Sequence, residues 1–386
     1  MTMIRKERRP GIDIDKVPSP CFVLEEKYLR DNLEILKHVS DQSGAIILCA
    51  LKGYSMWSSF PLIQRYLEGA TASSLNEARL CHEEMGHKAH LCCPVYFEDE
   101  LDEILSISSH ITFNSLNQFE RFGKKALEQG LKSAIRINPE FADAPAEMYN
   151  PCTPGSRLGV TRAQFGDQLP EGVTGLHFHA LCEQNADSLV KALHEVEEKW
   201  GEMLYKLEWF NVGGGHHITR IDYDIPLLIE TLRNFQDKYD LQVIMEPGEA
   251  VGWQTGYLIS TVEDIIEANG IKTAMLDVSF SAHMPDTIEM PYKPKVWGAR
   301  GPGEAPHLYH LGGMTCLSGD YMSGYAFDQP LQIGQKLVFD DMIHYTMVKT
   351  TFFNGVKHPS IGIWRENGEF ELIKNFGYQE FKAKLS

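Results

Sequence analysis

Eight short apolar segments rich in β-forming residues recur between residues 45 and 248, and most are followed by a charge-bearing amphipathic stretch. The segments begin near residues 45, 70, 88, 110, 132, 175, 207 and 241. This alternation predicts strand and helix units that build a parallel sheet. Eight units favour an α/β fold of the closed (β/α)₈ TIM type over an open doubly wound sheet, although six or seven true strands also fit.

The pattern changes after Gly248. Segments such as GYLISTV, TAMLDVSF and QKLVFDD are separated by Gly, Pro and Asp with few helical intervals, which predicts a β-rich second domain. The apolar segment CFVLE near the start also predicts a strand. We expect a barrel over residues 30–255, and a β-rich sandwich or barrel formed by 256–386 and completed by a strand from 1–29.

Charge and composition narrow the possible ligands. The 386 residues include 36 basic and 53 acidic side chains, a net charge of −17, which argues against binding to nucleic acid or to an anionic membrane. That charge suits a cationic or neutral small ligand, although it also simply promotes solubility. The basic start MTMIRKERRP has no apolar stretch after it, so a secretory signal is not expected. Eight cysteines without a C-x-x-C pair indicate reduced thiols and a cytoplasmic protein.

Several chemically capable residues fall where the barrel strands should end, which is where barrel active sites lie. Lys52 follows AIILCAL, and a lysine enclosed there is a candidate Schiff-base nucleophile or, alternatively, a solvated surface charge. The glycines Gly213–Gly215 of NVGGGHH would let backbone N–H groups come close to an anion; the alternative is that they form only a tight turn. Glu246 needs a buried partner, either a ring nitrogen or an arginine in a structural ion pair.

The histidines of GLHFHAL, together with His216 and His217, raise the alternative of a barrel metallohydrolase. Such an enzyme would also need an aspartate after the eighth strand, and none occurs there. We therefore expect no metal site.

Eight motifs, in this order, carry a resemblance over roughly residues 18–380: CALKGYS, SSLNE, IRINPE, SRLGV, GLHFHA, NVGGG, EPGE and GMTCLSGDYM. The chain resembles the pyridoxal-phosphate decarboxylases with an alanine-racemase-like barrel, which act on ornithine, diaminopimelate and carboxynorspermidine. The resemblance implies pyridoxal 5′-phosphate as cofactor. It also implies a homodimer with shared active sites.

The resemblance assigns roles to individual residues. Lys52 matches the Schiff-base lysine, His179 the residue that stacks on the pyridine ring, and Glu246 the partner of the ring nitrogen. Cys316 matches the cysteine that enters the neighbouring subunit's site and protonates the substrate carbon. The remaining cofactor contacts implied are Glu77, Arg136, Cys182 in place of a phosphate-contacting serine, Gly213, Gly214, Gly215, Gly248 and Tyr345.

The branch of the family is indicated by EPGE, because ornithine and diaminopimelate enzymes read EPGR. Glu249 in place of that arginine converts a position suited to an anion into one suited to an ammonium group. The resemblance is therefore to the carboxynorspermidine and carboxyspermidine decarboxylases, with Glu249 and Asp286 expected to bind the substrate amines and Glu183 and Asp320 as weaker candidates. The alternatives are a diaminopimelate or related basic amino-acid decarboxylase, a non-catalytic regulatory homologue and, more remotely, an amino-acid racemase.

Overall fold

The structure is a computed structural model that describes residues 8–386. The described chain divides into two compact units, one formed by Asp31–Val251 and the other by residues 8–30 with Gly252–Ser386. The first seven residues of the expected N-terminal segment lie outside the described residues. Within the described part of the chain, no helix has the length and apolar character needed to cross a membrane.

The first unit is a closed ring of parallel strands. The strands are Ile46–Ile47 with Cys49–Ala50, Ala70–Ala72, Ala89–Cys93, Ser108–Phe113, Lys132–Arg136, Val173–His177, Trp209–Asn211 and Gln242–Met245. Each strand pairs in parallel with the next along the chain, and the last pairs in parallel with the first. The predicted (β/α)₈ barrel is confirmed.

The barrel closes at a seam where the first strand is interrupted at Leu48. Backbone N–H of Leu48 donates to the carbonyl of Met245 on the last strand over 2.9 Å. The next N–H, that of Cys49, donates to the carbonyl of Gly69 beside the second strand over 3.0 Å. The first half of the first strand thus pairs with the last barrel strand, and its second half pairs with the second strand.

Helices follow the strands around the barrel. The α-helices of this unit are Glu26–Ser43, Phe60–Ile63, Leu75–Leu80, Leu101–Ser106, Leu116–Glu128, Arg162–Phe165, Ala186–Leu204, Ile225–Tyr239 and Glu249–Gly252, the first of which begins in the other unit. Several start at a capping side chain: Ser74, Ser115 and Asp224 each accept the N–H of the residue three positions on. Ser74 and Ser115, which follow shortly after the strands Ala70–Ala72 and Ser108–Phe113, therefore also fix where the next helix begins.

Two histidines lie among the apolar groups of the strands. The His90 ring stacks on that of His110 at 3.8 Å between centroids, and His110 meets the Trp209 ring edge-on at 5.0 Å. Burial lowers the pKa of His110 to about 4. Burial also lowers the pKa of His90 well below its usual range, with a further contribution from His110. Both imidazoles are therefore neutral in the folded barrel at neutral pH.

This pair makes the barrel sensitive to acid. A histidine with a depressed pKa binds fewer protons folded than unfolded, so its contribution to stability falls as the pH drops from about 6.5 toward 4. We expect the titration of His110 to lower the free energy of unfolding by about 1 kcal/mol when the pH falls from 7.5 to 5.5. Urea unfolding at the two pH values measures this loss, and His110→Gln should reduce it. An equal pH slope in the variant would contradict the assignment.

The second unit contains a mixed sheet of nine strands within the described residues. In spatial order these are Ala299–Arg300, Tyr321–Phe327, His307–Gly312, Ile271–Leu276, Gly256–Ala268, Cys21–Glu25, Ser360–Trp364 and Phe370–Lys374, with Lys336–Asp340 also paired to Gly256–Ala268. The early strand Cys21–Glu25 lies antiparallel to Gly256–Ala268 and parallel to Ser360–Trp364. The expectation of a β-rich second unit is confirmed. Its short helices are Phe280–His283, Asp286–Glu289, Tyr345–Val348 and Tyr378–Leu385.

Candidate active site

Lys52 lies at the carboxyl end of the first barrel strand, two residues after Cys49–Ala50. Its side chain has an exposed surface, yet protein atoms crowd around it. This crowding lowers the pKa of the Lys52 amine, and the nearby Arg136 guanidinium lowers it further. The carboxylate of Glu246 acts in the opposite direction. An amine with a lowered pKa is more often neutral, which is the form that attacks a carbonyl.

Glu246 directly follows the last barrel strand, next to the first strand in the ring. Its Oε1 accepts a hydrogen bond from Asn211 Nδ2 over 2.6 Å. Burial raises the pKa of the Glu246 carboxyl, while Asn211, Lys52 and the Thr71 hydroxyl oppose that rise. The carboxylate thus accepts a hydrogen bond from a neutral donor, Asn211, and lies within the electrostatic influence of two basic side chains, Lys52 and Arg136.

His177 lies beside Glu246 at the end of the sixth strand and is almost fully buried. Its Nε2 is 3.7 Å from Glu246 Oε2, and its Nδ1 is 3.5 Å from the Cys92 sulfur. Burial, reinforced by Arg136 and Lys52, holds the pKa of His177 well below its usual range. The imidazole is therefore neutral and adds no charge to the cluster.

Arg136 ends the strand next to that of His177 and is 7% exposed. No hydrogen bond or ion pair of its guanidinium is found among residues 8–386. A buried cation without a partner favours an anionic group nearby. Arg136 is thus a candidate to attract negative charge on a bound molecule.

The glycine turn after the seventh strand packs directly against neighbouring backbone. Gly213 and Gly215 have φ of 69° and 85°, a region that strongly favours glycine. A Cβ on Gly215 would stand 1.9 Å from the Leu181 carbonyl oxygen, and one on Gly214 would stand 2.5 Å from that of Glu246. Only glycine fits this turn.

Two amides of the turn already have partners. The Gly213 N–H donates to Asn211 Oδ1 over 2.8 Å, and the Gly214 N–H donates to His179 Nδ1 over 2.9 Å. The expectation that the glycine backbone binds a phosphate stays a prediction, and these two amides have protein acceptors in this structure. For the N–H groups of Gly215 and Gly248, no partner is seen within the described chain. These two amides are the ones available to an anion.

The contact with Gly214 also fixes the state of His179. Because Nδ1 accepts a hydrogen bond, the single proton of the neutral ring is on Nε2. Burial and the nearby Lys52 and Arg136 keep the pKa of His179 well below its usual range. The result is a neutral imidazole of fixed orientation, suited to lie against a flat ring.

Gly53 and Gly248 bring two backbone segments together beside Lys52. A Cβ on Gly53 would stand 3.1 Å from the Gly248 Cα, and a Cβ on Gly248 would stand 3.0 Å from the Ala50 carbonyl oxygen. The chain that follows Lys52 is therefore packed against the start of the helix Glu249–Gly252. A side chain at either position would require the neighbouring backbone to shift by a few tenths of an ångström.

Three acidic residues surround this group. Glu77 Oε2 accepts the Ser73 N–H over 2.7 Å, and burial raises the pKa of Glu77 while Lys52 opposes the rise. Glu249 Oε1 is 3.7 Å from Nε2 of the buried His217. Burial raises the pKa of the Cys182 thiol to about 12, and the charges of Glu183 and Glu249 add to this rise. The electrostatic potential around Cys182 is therefore made negative by Glu183 and Glu249.

Cys316, Asp320, Asp286 and Tyr345 lie in the second unit. Cys316 is exposed, and Asp320 follows it in the same loop. The Asp320 carboxylate accepts hydrogen bonds from the backbone N–H of Ser281 and from both N–H and hydroxyl of Thr315. The expectation that Asp320 binds a substrate amine is not supported, because its oxygens are engaged in holding this loop.

Asp286 also has a partner within its own unit. The Lys349 ammonium donates to both Asp286 and Glu289, which balances the charge of this pair. This ion pair weakens the case for Asp286 as a residue that binds a substrate amine. Tyr345 begins the short helix Tyr345–Val348 and is half-buried.

Some residues of the site were not predicted from the sequence. Asn211 joins Glu246 to the glycine turn, and the nearby Thr71 helps to lower the pKa of the Glu246 carboxyl. Asn211 precedes VGGG directly, so a polar residue at the end of a barrel strand was the available signal. Thr71 gave no such signal. Across residues 8–386, no group of three or more His, Cys, Asp or Glu side chains is arranged to hold a metal ion.

The residues present fit pyridoxal phosphate. A lysine with a lowered pKa supplies the amine for a Schiff base, a buried carboxylate suits a protonated ring nitrogen, and the amides of Gly215 and Gly248 suit a phosphate. The fold and these residues together suit a barrel enzyme that uses pyridoxal phosphate.

Known proteins resemble the chain over nearly its full length. A family profile described as "Pyridoxal-dependent decarboxylase, C-terminal sheet domain" matches residues 21–343. The carboxyaminopropylagmatine decarboxylase of Synechocystis sp. is 49% identical over 96% of both chains. The carboxynorspermidine/carboxyspermidine decarboxylase of Campylobacter jejuni is 45% identical over 96% of this chain and 99% of its own. The chain belongs to the pyridoxal-dependent decarboxylase family.

A solved structure agrees with this membership. The carboxynorspermidine decarboxylase of Campylobacter jejuni, complexed with norspermidine, superimposes with a TM-score of 0.90 at 43% identity, covering 95% of this chain and 100% of its own. Diaminopimelate decarboxylases match at only 22% to 24% identity. The protein is an enzyme, a decarboxylase that uses pyridoxal phosphate.

Proposed function

We propose that the enzyme decarboxylates carboxynorspermidine, carboxyspermidine or both, and so forms norspermidine or spermidine. The observation that carries this proposal is Glu249, a carboxylate beside the buried His217 at the start of the helix that follows the last strand. A carboxylate there attracts a substrate ammonium group, whereas an arginine would attract a second carboxylate. The nearby charge of Glu183 adds to the same attraction. The two Campylobacter jejuni relatives support this substrate class.

The residues of the barrel divide the work of the reaction. When bound, pyridoxal phosphate supplies an electron sink for the bond that releases CO₂. Lys52 provides the neutral amine that holds the cofactor and later displaces the product. Glu246 stabilises positive charge on the ring nitrogen, and neutral His179 covers a face of the ring. The Arg136 guanidinium and the amides of Gly215 and Gly248 attract negative groups, with Glu77 near Lys52.

A second substrate has specific support. The Synechocystis relative, at 49% identity, is named for carboxyaminopropylagmatine. That compound ends in a guanidinium, which is also cationic and also suits a carboxylate such as Glu249. The electrostatic argument for Glu249 therefore applies equally to both substrate classes.

The deciding experiment is a CO₂-release assay on five compounds at matched concentrations. We expect carboxynorspermidine or carboxyspermidine to give the highest kcat/KM, with diaminopimelate and ornithine lower. Fastest turnover of carboxyaminopropylagmatine would favour the second substrate. Equal or better turnover of diaminopimelate would overturn the proposal for a polyamine substrate, because Glu249 would then face a substrate carboxylate.

Glu249→Arg tests the residue directly. Reversing the charge should raise KM for the triamine substrate at least tenfold, about 1.4 kcal/mol, with a smaller effect on kcat. Steady-state kinetics measures both constants. Glu202→Arg, a change of the same charge on the barrel helix Ala186–Leu204, is the matched control and should leave KM unchanged. An unchanged KM in Glu249→Arg would remove this residue from the substrate site.

Cys316 is proposed as the group that gives a proton from its sulfur to the carbon that has lost CO₂. It is the exposed member of eight free cysteines. Exposed apolar side chains lie near it in the chain or across the loop, Met314 at 39%, Leu317 at 46% and Phe353 at 48% exposure. Such side chains favour burial against another chain. We therefore propose a cytoplasmic homodimer in which Cys316 of each chain serves the site of the other.

Mixed dimers test this sharing. Lys52→Ala and Cys316→Ala subunits, each deficient alone in polyamine formation, should regain about a quarter of wild-type activity when paired at random, because half the dimers carry one intact site. Co-expression with two affinity tags isolates the mixed species, and light scattering gives its mass. A mixed dimer without restored activity would show that each chain uses its own cysteine or none.

A further inference from the structure

Hydrogen bonds of two side chains, Asp320 and Asn354, hold the loop that carries Cys316, and we call these two sets of contacts its ties. The loop connects the strands His307–Gly312 and Tyr321–Phe327 of the second unit. Although the loop is exposed around Cys316, its last residue Asp320 is only 4% exposed. An exposed reactive side chain on a loop with a buried anchor has a restricted range of positions.

The first tie is the Asp320 carboxylate. One oxygen accepts the Ser281 N–H over 3.0 Å, and the other accepts the Thr315 N–H over 3.1 Å and the Thr315 hydroxyl over 2.6 Å. The Asp320 backbone carbonyl also accepts the Gly313 N–H over 2.6 Å. A Cβ on Gly313 would stand 2.4 Å from the carboxylate, so the chain needs glycine there. These bonds close the loop on itself, with Cys316 inside it.

The second tie is the Asn354 side chain. Its Oδ1 accepts the backbone N–H of Cys316 itself over 2.7 Å. Asn354 has φ of 60° and ψ of 8°, a left-handed conformation that asparagine adopts more readily than most other residues. Asn354, whose side chain binds the Cys316 backbone, therefore itself has an uncommon backbone conformation.

Both ties reach the same short helix, Phe280–His283. Asp320 accepts the N–H of Ser281 in this helix. The carbonyl of Ala282 accepts the Thr351 N–H over 2.8 Å, and the Thr351 hydroxyl accepts the N–H of Phe353, which precedes Asn354. Ser279 caps the helix by accepting the Ala282 N–H. One capped element thus serves as a common base for the two groups that hold the loop.

We propose that Asp320 and Asn354 are positioning residues that fix the Cys316 thiol for proton delivery. The inference rests on the proposed role of Cys316 in the reaction. Asp320 closes the loop and Asn354 holds the cysteine backbone, so the two together restrict where the sulfur lies. A loop freed of either contact delivers the proton to the substrate carbon less reliably. When the cofactor takes the proton instead, hydrolysis by water would release an aldehyde and leave the amino group on the cofactor, so that less than one amine forms per CO₂.

Asn354→Gly is the sharpest variant, because glycine keeps the left-handed backbone and removes only the acceptor. Asn354→Asp is the matched control, since it retains an oxygen at the same position. Two measurements on the holoenzyme follow: amine formed per CO₂ released, and the rate at which iodoacetamide labels the Cys316 peptide, read by mass spectrometry. The second measurement needs no turnover.

We expect Asn354→Gly to form less than one amine per CO₂ and to change the Cys316 labelling rate about threefold, the loss of one exposed hydrogen bond. Asn354→Asp should keep both values near wild type. Asp320→Asn should lower the amine ratio further, because it removes the charge that three donors share. Wild-type ratio and labelling rate in both Asn354→Gly and Asp320→Asn would overturn the inference.

Cys316→Ala separates this inference from the function on which it rests. If Cys316→Ala still forms one amine per CO₂, the proposed role of the thiol fails, whatever Asn354 does. If Cys316→Ala lowers the ratio and neither positioning variant does, the thiol keeps its role and the inference about Asp320 and Asn354 fails.

Discussion

Lys52→Ala should lower kcat at least about 10⁴-fold, because the chain then has no amine with which to hold the cofactor in place. Crowding and the Arg136 charge lower the pKa of this lysine, so the wild-type amine is readily neutral. Alanine leaves the packing of Gly53 against Gly248 intact, so the cofactor-free barrel should unfold at an unchanged temperature.

The measurement joins kinetics to a chemical label. Borohydride reduction of the wild-type holoenzyme should attach the cofactor permanently to the peptide that contains Lys52, and the variant should lack this adduct. Lys132→Ala, which removes an exposed lysine from the opposite end of a barrel strand, should retain both activity and adduct. Attachment to a different lysine in the wild type would contradict the assignment.

Glu246→Gln should lower kcat about 10²- to 10³-fold with little change in stability. The amide still offers an oxygen to Asn211, so the hydrogen-bonded frame at the end of the last strand is retained. What is lost is the negative charge that stabilises a protonated ring nitrogen. That charge also raises the pKa of Lys52, so the lysine should titrate at lower pH in the variant.

Steady-state kcat at saturating cofactor and the pH dependence of Schiff-base formation by the cofactor-free enzyme measure these two effects. The control is Glu208→Gln, an exposed carboxylate beside the start of the strand Trp209–Asn211. A loss in kcat of less than about fivefold would show that the carboxylate does not act on the ring nitrogen.

Strand positions in the barrel could be predicted because each strand is a short apolar run with its own turn and helix. The interruption at Leu48 could not, since it reflects pairing to two different strands rather than any local preference. The short helix Glu249–Gly252 was equally hidden, because four residues carry no helical period.

Lys52 and Glu246 could be picked out from the sequence because each is a charged residue just after an apolar segment, and the structure places both at barrel strand ends; their roles stay predictions. Partnerships between distant residues could not be predicted in this way. Asp286 looked like a free carboxylate until its ion pair with Lys349, 63 positions later, was seen. The contact from Cys316 to Asn354 spans 38 positions and depends on how two loops fold, which no spacing encodes.

The closure of the barrel at Leu48 has a consequence for how the enzyme folds during its synthesis. Lys52 stands at the end of the first barrel strand and Glu246 at the end of the last, and these strands are neighbours only because the ring closes. During synthesis the lysine therefore leaves the ribosome long before Glu246, and the two can become neighbours only after the eighth strand has been made. Nascent chains that end before residue 246 therefore lack one of the two charged side chains that the closed ring brings near each other.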